Sequence, residues 1–519
     1  MPKLRVIGPP GTGKTTFLQR QVAAWVERGV EPDEIVISSL TRAAASVVRG
    51  RIDLPPGNAA TIHALAYRGL GHPSIAEVGA LAKQWGEQPD LPASWRLRLS
   101  QDAIDEGVIQ EQGSGTALAE YSRLRSMGRS DWGELDDFVA AWEDFKGQTH
   151  SMDFADLIDI ALLDCPTAPG NPRCFVVDER QDSTAAMVRL ADSWGAAAEY
   201  YLEAGDPAQT LYQWAGADWR SMLTPLPAGQ ERRLGRSYRM PSAVHEYAED
   251  WLQRHTEPMT TARSYAPREA EGAVSYAGTT WMDGDGLLGT VAGLLEGDGE
   301  VMVLASCAYM LEPTIAALRN AGVPYHNEYR RSNGRWNPLN EREGTVSTLH
   351  RLRMWLSDVW SDDGARAWLE LLPARWFRGT KKAALEALEG QRGLTIQQLA
   401  PVLHDAALNA QAAQDGGWLV EQAAARFKGP LGYAWRLWQH DHEALGRRPR
   451  VTVGTINSVK GGEAAHVVLV PDLSPAGVAE RWTEDGADAT VRLWYVGLSR
   501  ASETVTICAA ASERMSVYA

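Results

Sequence analysis

Near its start the chain reads Gly8-Pro9-Pro10-Gly11-Thr12-Gly13-Lys14-Thr15-Thr16, which contains the pattern G-x-x-x-x-G-K-S/T. Glycines at these places let backbone N–H groups close around phosphate oxygens, which a side chain would obstruct. An apolar run at 4–7 precedes the loop and a helical pattern begins near Lys14. The loop therefore lies between a predicted strand and a predicted helix, whose N-terminus adds partial positive charge. In such a loop Lys14 reaches the β- and γ-phosphates of a nucleotide and the Thr15 hydroxyl holds Mg2+.

A phosphate loop needs a carboxylate from a neighbouring strand, and the apolar run Cys174-Phe175-Val176-Val177 ends in Asp178-Glu179. Asp178 is the candidate second holder of Mg2+, and Glu179 the candidate to orient and deprotonate an attacking water. Two half-sites this consistent imply a nucleoside triphosphatase.

The elements that must position these groups follow from apolar periodicity. Strand-like runs at 4–7, 35–39, 174–177 and 200–204 alternate with helical stretches at 41–52 and 187–194. Such alternation predicts a parallel sheet covered on both faces. A second set runs through 301–306, 311–321, 451–456, 466–470 and 504–508, while 65–150 and 331–448 carry helical spacing. The expected fold class is α/β, with two parallel-sheet P-loop NTPase cores, each carrying a mostly helical insertion, an arrangement that the family resemblance given below implies is RecA-like. The expected domains are 1–64 with 151–235 (core 1A), 65–150 (insert 1B), 236–330 with 449–519 (core 2A) and 331–448 (a short insert 2B).

Bulk properties narrow the class. The 519 residues are 44% hydrophobic and 23% charged, the balance of an ordinary globular protein. No run of eighteen apolar residues appears, so no membrane span is expected. Only seven residues precede Gly8, leaving no room for a signal peptide. Four scattered cysteines without a C-x-x-C pair fit a cytoplasmic setting and not a zinc ribbon. The net charge of −15 argues against nonspecific coating of nucleic acid, yet leaves room for a basic groove, because binding follows the local field.

Beyond the two half-sites, ordered blocks resemble the UvrD/Rep branch of superfamily 1 helicases. Asp178-Glu179-Arg180-Gln181-Asp182 is similar to motif II of that family, and Gly205-Asp206-Pro207-Ala208-Gln209 with Leu211-Tyr212-Gln213-Trp214-Ala215-Gly216-Ala217 to motif III. Ser237-Tyr238-Arg239 resembles motif IV, Thr455 to Glu463 motif V, and Tyr495-Val496-Gly497-Leu498-Ser499-Arg500-Ala501 motif VI. The stretch 39–45 looks like motif Ia, Thr61-Ile62-His63 like motif Ib, and Asp153-Phe154-Ala155-Asp156-Leu157 like a further family block.

The resemblance implies ATP as fuel, Gln209 as a γ-phosphate sensor, and Arg239 and Arg500 as arginine fingers. It further implies Tyr238 stacking on the base and Glu463 touching the ribose. It also implies single-stranded DNA and single/double-strand junctions as partners, 3′ to 5′ movement, and strand contacts at Thr61 and His63. Tyr212 and Trp214, linked closely to Gln209, are candidates to stack on bases. RNA stays open as a partner. The blocks Tyr329 to Trp336 and Arg375 to Lys382 interleave basic and aromatic residues, as phosphate contact plus stacking would want.

Several positions depart from the family. The glutamine-bearing segment by which the family reads adenine is not expected within the seven residues before Gly8, which leaves nucleotide preference open. Ala215, Asn457 and Gly462 replace the arginine, histidine and leucine usual there, and Arg378-Gly379-Thr380 stands where relatives hold duplex with a Gly-Ile-Gly loop. Two alternatives to a helicase therefore stay open: a strand-stimulated translocase without strong unwinding, and a nucleotide-dependent binding module.

Overall fold

The computed structural model describes residues 3–39, 54–97, 116–255, 264–327, 336–338, 347–360, 362–388, 391, 393–440, 442 and 447–518. The expected helix at 41–52, most of the motif at 39–45, and 329–335 of the basic-aromatic block lie outside them.

Two six-stranded sheets organise the chain. The first contains β1 (Lys3–Ile7), β2 (Ile35–Ser38), β3 (Ala59–Ala60), β4 (Cys174–Val177), β5 (Tyr200–Gly205) and β6 (Glu231–Arg233), in the order β3-β2-β4-β5-β1-β6. All of its pairings are parallel. β2 and β4 are buried at every position, as expected when both faces of a parallel sheet are covered. Alternation along the strands sorts the packing. Val36, Phe175 and Val177 meet the helices Ile62–Gly69, Phe154–Asp164 and Ala185–Ala197. Ile35, Ile37 and Val176 meet Leu18, Val22 and Trp25 of the helix Lys14–Val26. Each such fully buried large side chain contributes about 1.5–3 kcal/mol.

The chain leaves this sheet through β7 (Arg236–Pro241), which pairs with β8 (Ala266–Arg268). The second sheet contains β9 (Ala273–Tyr276), β10 (Val301–Ala305), β11 (Tyr325–His326), and, after a two-stranded antiparallel ribbon of β12 (Val359–Trp360) and β13 (Leu394–Thr395), β14 (Val451–Thr455), β15 (Ala464–Leu469) and β16 (Ala501–Ile507). Its order is β11-β14-β10-β15-β16-β9, again with parallel pairs throughout. One face packs on the helices Ser242–Leu252 and Glu484–Leu498, the other on Gly284–Leu295 and Glu312–Ala321. The first cluster also takes in Ala208, Leu211, Tyr212 and Trp219, so the segment after β5 is anchored in the second core.

Strands such as β6 and β9 escape an apolar reading because they are short edges. All three residues of β6 are charged and exposed, and β9 is mostly exposed. In the first insert the helices Gly79–Gly86, Ala117–Ser126 and Asp136–Thr149 close around Trp85, Phe138 and Trp142, with the two indoles 4.8 Å apart and edge to face. Among its described residues the second insert has helices and the two strands β12 and β13, and Trp355, Trp360 and Trp368 form its centre. Among the described residues no helix is long and apolar enough to cross a membrane.

Candidate nucleotide site and strand groove

Parallel pairing puts the C-terminal ends of β1 and β4 on the same edge of the first sheet, separated by β5. Two strand spacings place them roughly 10 Å apart, a gap that phosphates and a cation can fill. The loop after β1 is fixed at its start by Gly8 N–H donating to the Gly205 carbonyl at 3.0 Å. Gly11 and Gly13 adopt left-handed φ of 68° and 83°, a region open to glycine at little cost. Gly11 has a second reason: a Cβ there would lie 2.4 Å from Arg239 Cβ. Lys14 turns back over its own loop and donates to the Gly8 carbonyl at 2.8 Å. Thr12 Oγ1 donates to the Pro9 carbonyl at 2.8 Å, Thr15 is half-buried, and Thr16 is exposed.

Asp178 follows β4 and is buried, its N–H donating to the Ser38 carbonyl at 2.8 Å. Glu179 has φ 53°, a left-handed backbone that costs a non-glycine residue about 1–3 kcal/mol. Its carboxylate accepts the Gln181 amide at 2.5 Å, while Gln181 Oε1 accepts the N–H of Asp206 at 3.0 Å. The strained turn is thereby tied to the end of β5. Burial, and then the charge of Glu179, raise the pKa of Asp178 above the carboxylate range. A cation beside it would relieve that penalty, so the donor set fits Mg2+. Burial pushes Glu179 upward too, but Lys14, Lys460, the Gln181 amide and Arg500 outweigh it and hold the carboxylate ionised.

The second core reaches this edge through residues of β7 and of the segments around Glu463 and Arg500. Ser237 Oγ donates to the Pro10 carbonyl at 2.9 Å, and Tyr238 N–H to the Gly11 carbonyl at 2.8 Å. Tyr238 is 71% exposed, and its ring passes 3.9 Å from where a Gly13 Cβ would stand, leaving a face open beside the loop. Arg239 donates to Glu463 at 2.6 Å and to the Ser499 carbonyl at 3.3 Å. Arg500 is buried and donates to Gln209 Oε1 at 3.2 Å and to the Gly462 carbonyl at 3.2 Å. Gln209 in turn donates to Asp206 at 2.8 Å.

Lys14, Asp178, Glu179, Gln209, Arg239, Arg500, Tyr238 and Glu463 are thus gathered along one seam. Sequence reasoning overlooked Lys460 as a site residue. It crosses from the second core to bond Asp182 and the Gln209 carbonyl, and lies 3.9 Å from Glu179. Its place between Asn457 and Glu463 in one motif was the available signal.

Below the seam lies a cavity of about 700 Å3 between the first core, its insert and the 480–489 segment of the second core. His63, Phe154, Arg123, Arg125, Tyr212 and Trp214 line it. Trp214 is 37% exposed and offers a free ring. Tyr212 is 7% exposed and sits in the hydrophobic cluster with Lys460 Nζ 5.4 Å from its ring centre, so it serves the packing of the seam as well as the groove wall. Burial lowers the His63 pKa to about 4, leaving a neutral ring edge-on to Phe154 at 5.9 Å. Thr61 departs from its expected place as a strand contact. It is buried, and its hydroxyl accepts the Ala64 N–H at 3.2 Å as the cap of the helix Ile62–Gly69.

A family model described as an AAA domain matches residues 2–215. The chain is also similar to the ATP-dependent DNA helicase UvrD2 of Mycobacterium bovis and that of Mycobacterium tuberculosis. Each is 23% identical over 555 aligned residues, which cover 96% of this chain and 75% of the relative.

Proposed function

We propose that this chain, whose motifs resemble UvrD/Rep-type helicases and which is similar to UvrD2 over 96% of its length, hydrolyses ATP at the seam between its two sheets and uses the cycle to move 3′ to 5′ along single-stranded DNA. The observation that carries the reading is the contact of Arg500 with Gln209 across the seam, 3.2 Å long and within the field of Glu179. The reading divides the chain into motor cores 1–64 with 151–235 and 236–330 with 449–519, and inserts 65–150 and 331–448.

In this mechanism the triphosphate draws Lys14 off the Gly8 carbonyl, and the loop N–H groups take its oxygens. Thr15 and Asp178 would hold Mg2+, which when bound neutralises charge on the β- and γ-phosphates. Glu179 orients a water whose oxygen bonds to the γ-phosphorus as the bond to the β–γ bridging oxygen breaks, and it accepts the proton. Arg239 and Arg500 neutralise charge developing on the transferred group, a task suited to a permanently charged planar fork. Tyr238 stacks on the base and Glu463, released from Arg239, meets the ribose. Hydrolysis removes the group that held the two cores together, and the seam opens.

The groove supplies the grip. Trp214 and the wall around His63 and Tyr212 offer stacking surface, and Arg123, whose partner Glu120 is a partly exposed carboxylate at 2.7 Å, offers positive charge at the wall, a combination that holds single strands without reading sequence. Single/double-strand junctions are the proposed working substrate, and direction rests on the family resemblance.

The experiment is the ATPase rate with and without single-stranded DNA or RNA, for wild type and Glu179→Gln. Stimulation by DNA and a loss of about 10²-fold or more in the variant are expected; an unstimulated wild type contradicts the reading. Strand displacement on tailed duplexes tests direction, and unwinding only from a 5′ tail overturns it.

A translocase without strong unwinding is the second reading, favoured by the second insert. Arg378 there donates to Asp405 and the Leu403 carbonyl at 2.6 Å each, and Lys381 to the Glu370 and Leu372 carbonyls at 2.9 and 2.7 Å. These cations are engaged within the insert. Strand-stimulated ATPase without duplex unwinding would select this reading.

A further inference from the structure

One segment of the first core runs from the nucleotide pocket to the strand groove. Gln209 stands at its nucleotide end and Gln213, beside Trp214, lines the groove. A single helix of the second core, Glu484–Leu498, answers both glutamines. Arg500, just past its end, donates to Gln209 Oε1 at 3.2 Å, and Arg492 on the helix donates to Gln213 Oε1. Eight helical residues separate the arginines by about 12 Å.

The Arg492 guanidinium is held from several sides. It is fully buried, its centre lies 5.4 Å from the Trp219 ring centre, and its other terminal nitrogen bonds His255 Nε2. Arginine can only donate, so His255 Nε2 accepts. The imidazole proton then sits on Nδ1, which faces Asp488 at 3.1 Å. Asp488 lies four residues before Arg492, one turn away on the same helix. His255 also stands edge-on to Trp219 at 5.7 Å. Asp488, His255 and Trp219 together fix the plane of the fork, and with it the place where the Gln213 amide must lie.

We propose that Arg492 is a positioning residue that transmits strand occupancy of the groove to the helix delivering Arg500. A strand that shifts Gln213 and Trp214 pulls on Arg492, and the rigid helix carries that shift to the Arg500–Gln209 contact. The link rests on the strand-dependent ATPase proposed above, and deepens it by naming the route between the two sites.

The test reads ATP hydrolysis at saturating single-stranded DNA and without DNA, for wild type, Arg492→Lys, Gln213→Leu and the double variant. Lysine keeps the charge and loses the fork. Arg492→Lys is expected to lower the stimulated rate about tenfold, with the unstimulated rate and the KM for ATP within about twofold of wild type. Gln213→Leu approaches the same bond from a half-buried loop side chain, so a fold failure of either variant leaves the other to decide. The double variant should stimulate no worse than the weaker single one, because the two changes break one bond. Wild-type stimulation in Arg492→Lys, equal loss of stimulated and unstimulated rates, or additive losses in the double variant would each overturn the link. A wild type without stimulation would overturn the functional reading and the link with it.

Discussion

The junction of the first insert with its core and the seam between the two sheets both bury charge, and they dispose of it in opposite ways. At the junction Lys146 is 4% exposed and bonds Asp153 at 2.8 Å and Asp156 at 2.6 Å. Arg125 adds Asp156 at 2.6 Å and Asp159 at 2.5 Å, while Trp142 donates to Asp153 at 3.0 Å. These charges are closed on one another, and no nucleotide or strand could replace a partner. At the seam Arg500 rests on the neutral amide of Gln209, Arg239 on a largely exposed Glu463, and Lys14 on a backbone carbonyl. The amide and the carbonyl are neutral and weaker partners than phosphate, and the Glu463 carboxylate faces water; Lys460, which closes on buried Asp182, is the fixed cation of the seam. Under the proposed function, the difference separates charge that fixes a body from charge that exchanges its partner for a ligand.

That distinction can be broken most sharply at Lys146. Lys146→Met leaves Asp153 and Asp156 buried beside fewer cations, and urea unfolding should show a loss of about 3–5 kcal/mol. A loss below about 1 kcal/mol would mean the junction is no more fixed than a surface ion pair.

Glu77 sharpens the same side. It is fully buried, its Oε2 accepts the Phe154 N–H at 2.9 Å, and Oε1 has no hydrogen-bond partner among the described residues. Burial, then the charge of Asp153, raise its pKa well above the glutamate range. A raised folded-state pKa gives stability that is full below the unfolded value and is lost as pH rises through the folded one. Glu77→Gln keeps the acceptor and removes the charge. Denaturant midpoints should therefore favour the variant increasingly as pH rises from the ordinary glutamate range toward neutrality; parallel pH profiles would contradict the assignment.

On the seam side the smallest effect is expected. Arg220 and Asp485 meet across the groove at 3.1 Å, with side chains 48% and 62% exposed. Asp485→Asn should change unfolding stability by no more than about 1 kcal/mol, and a larger loss would show the seam to be a fixed joint.

Much of the candidate nucleotide site is legible in the sequence because it is local. A glycine loop after an apolar strand and a carboxylate pair ending another are patterns of adjacent residues, and parallel pairing does the rest. Arg500 was legible only through the order of its block, since its partner Gln209 lies 291 residues away in sequence. Lys460 was marked only by its place in the block Thr455 to Glu463, since a lysine alone reads equally well as a solvated one. Tyr212 read as a stacking candidate because its burial depends on the second core packing over it, and Thr61 as a strand contact because capping and strand contact ask for the same hydroxyl. The charge cluster at Lys146 was hidden for a similar reason: residues 125, 146 and 153–159 meet only once the insert folds against its core.

Single-turnover ATP hydrolysis by Arg500→Ala, with ATP affinity measured alongside, tests whether fuel is consumed between the cores. Hydrolysis should fall about 10³-fold or more, while the dissociation constant for ATP stays within about tenfold of wild type. A rate within about threefold of wild type would mean that the guanidinium does not meet the transferred phosphoryl group, and that the reaction belongs to the first core alone.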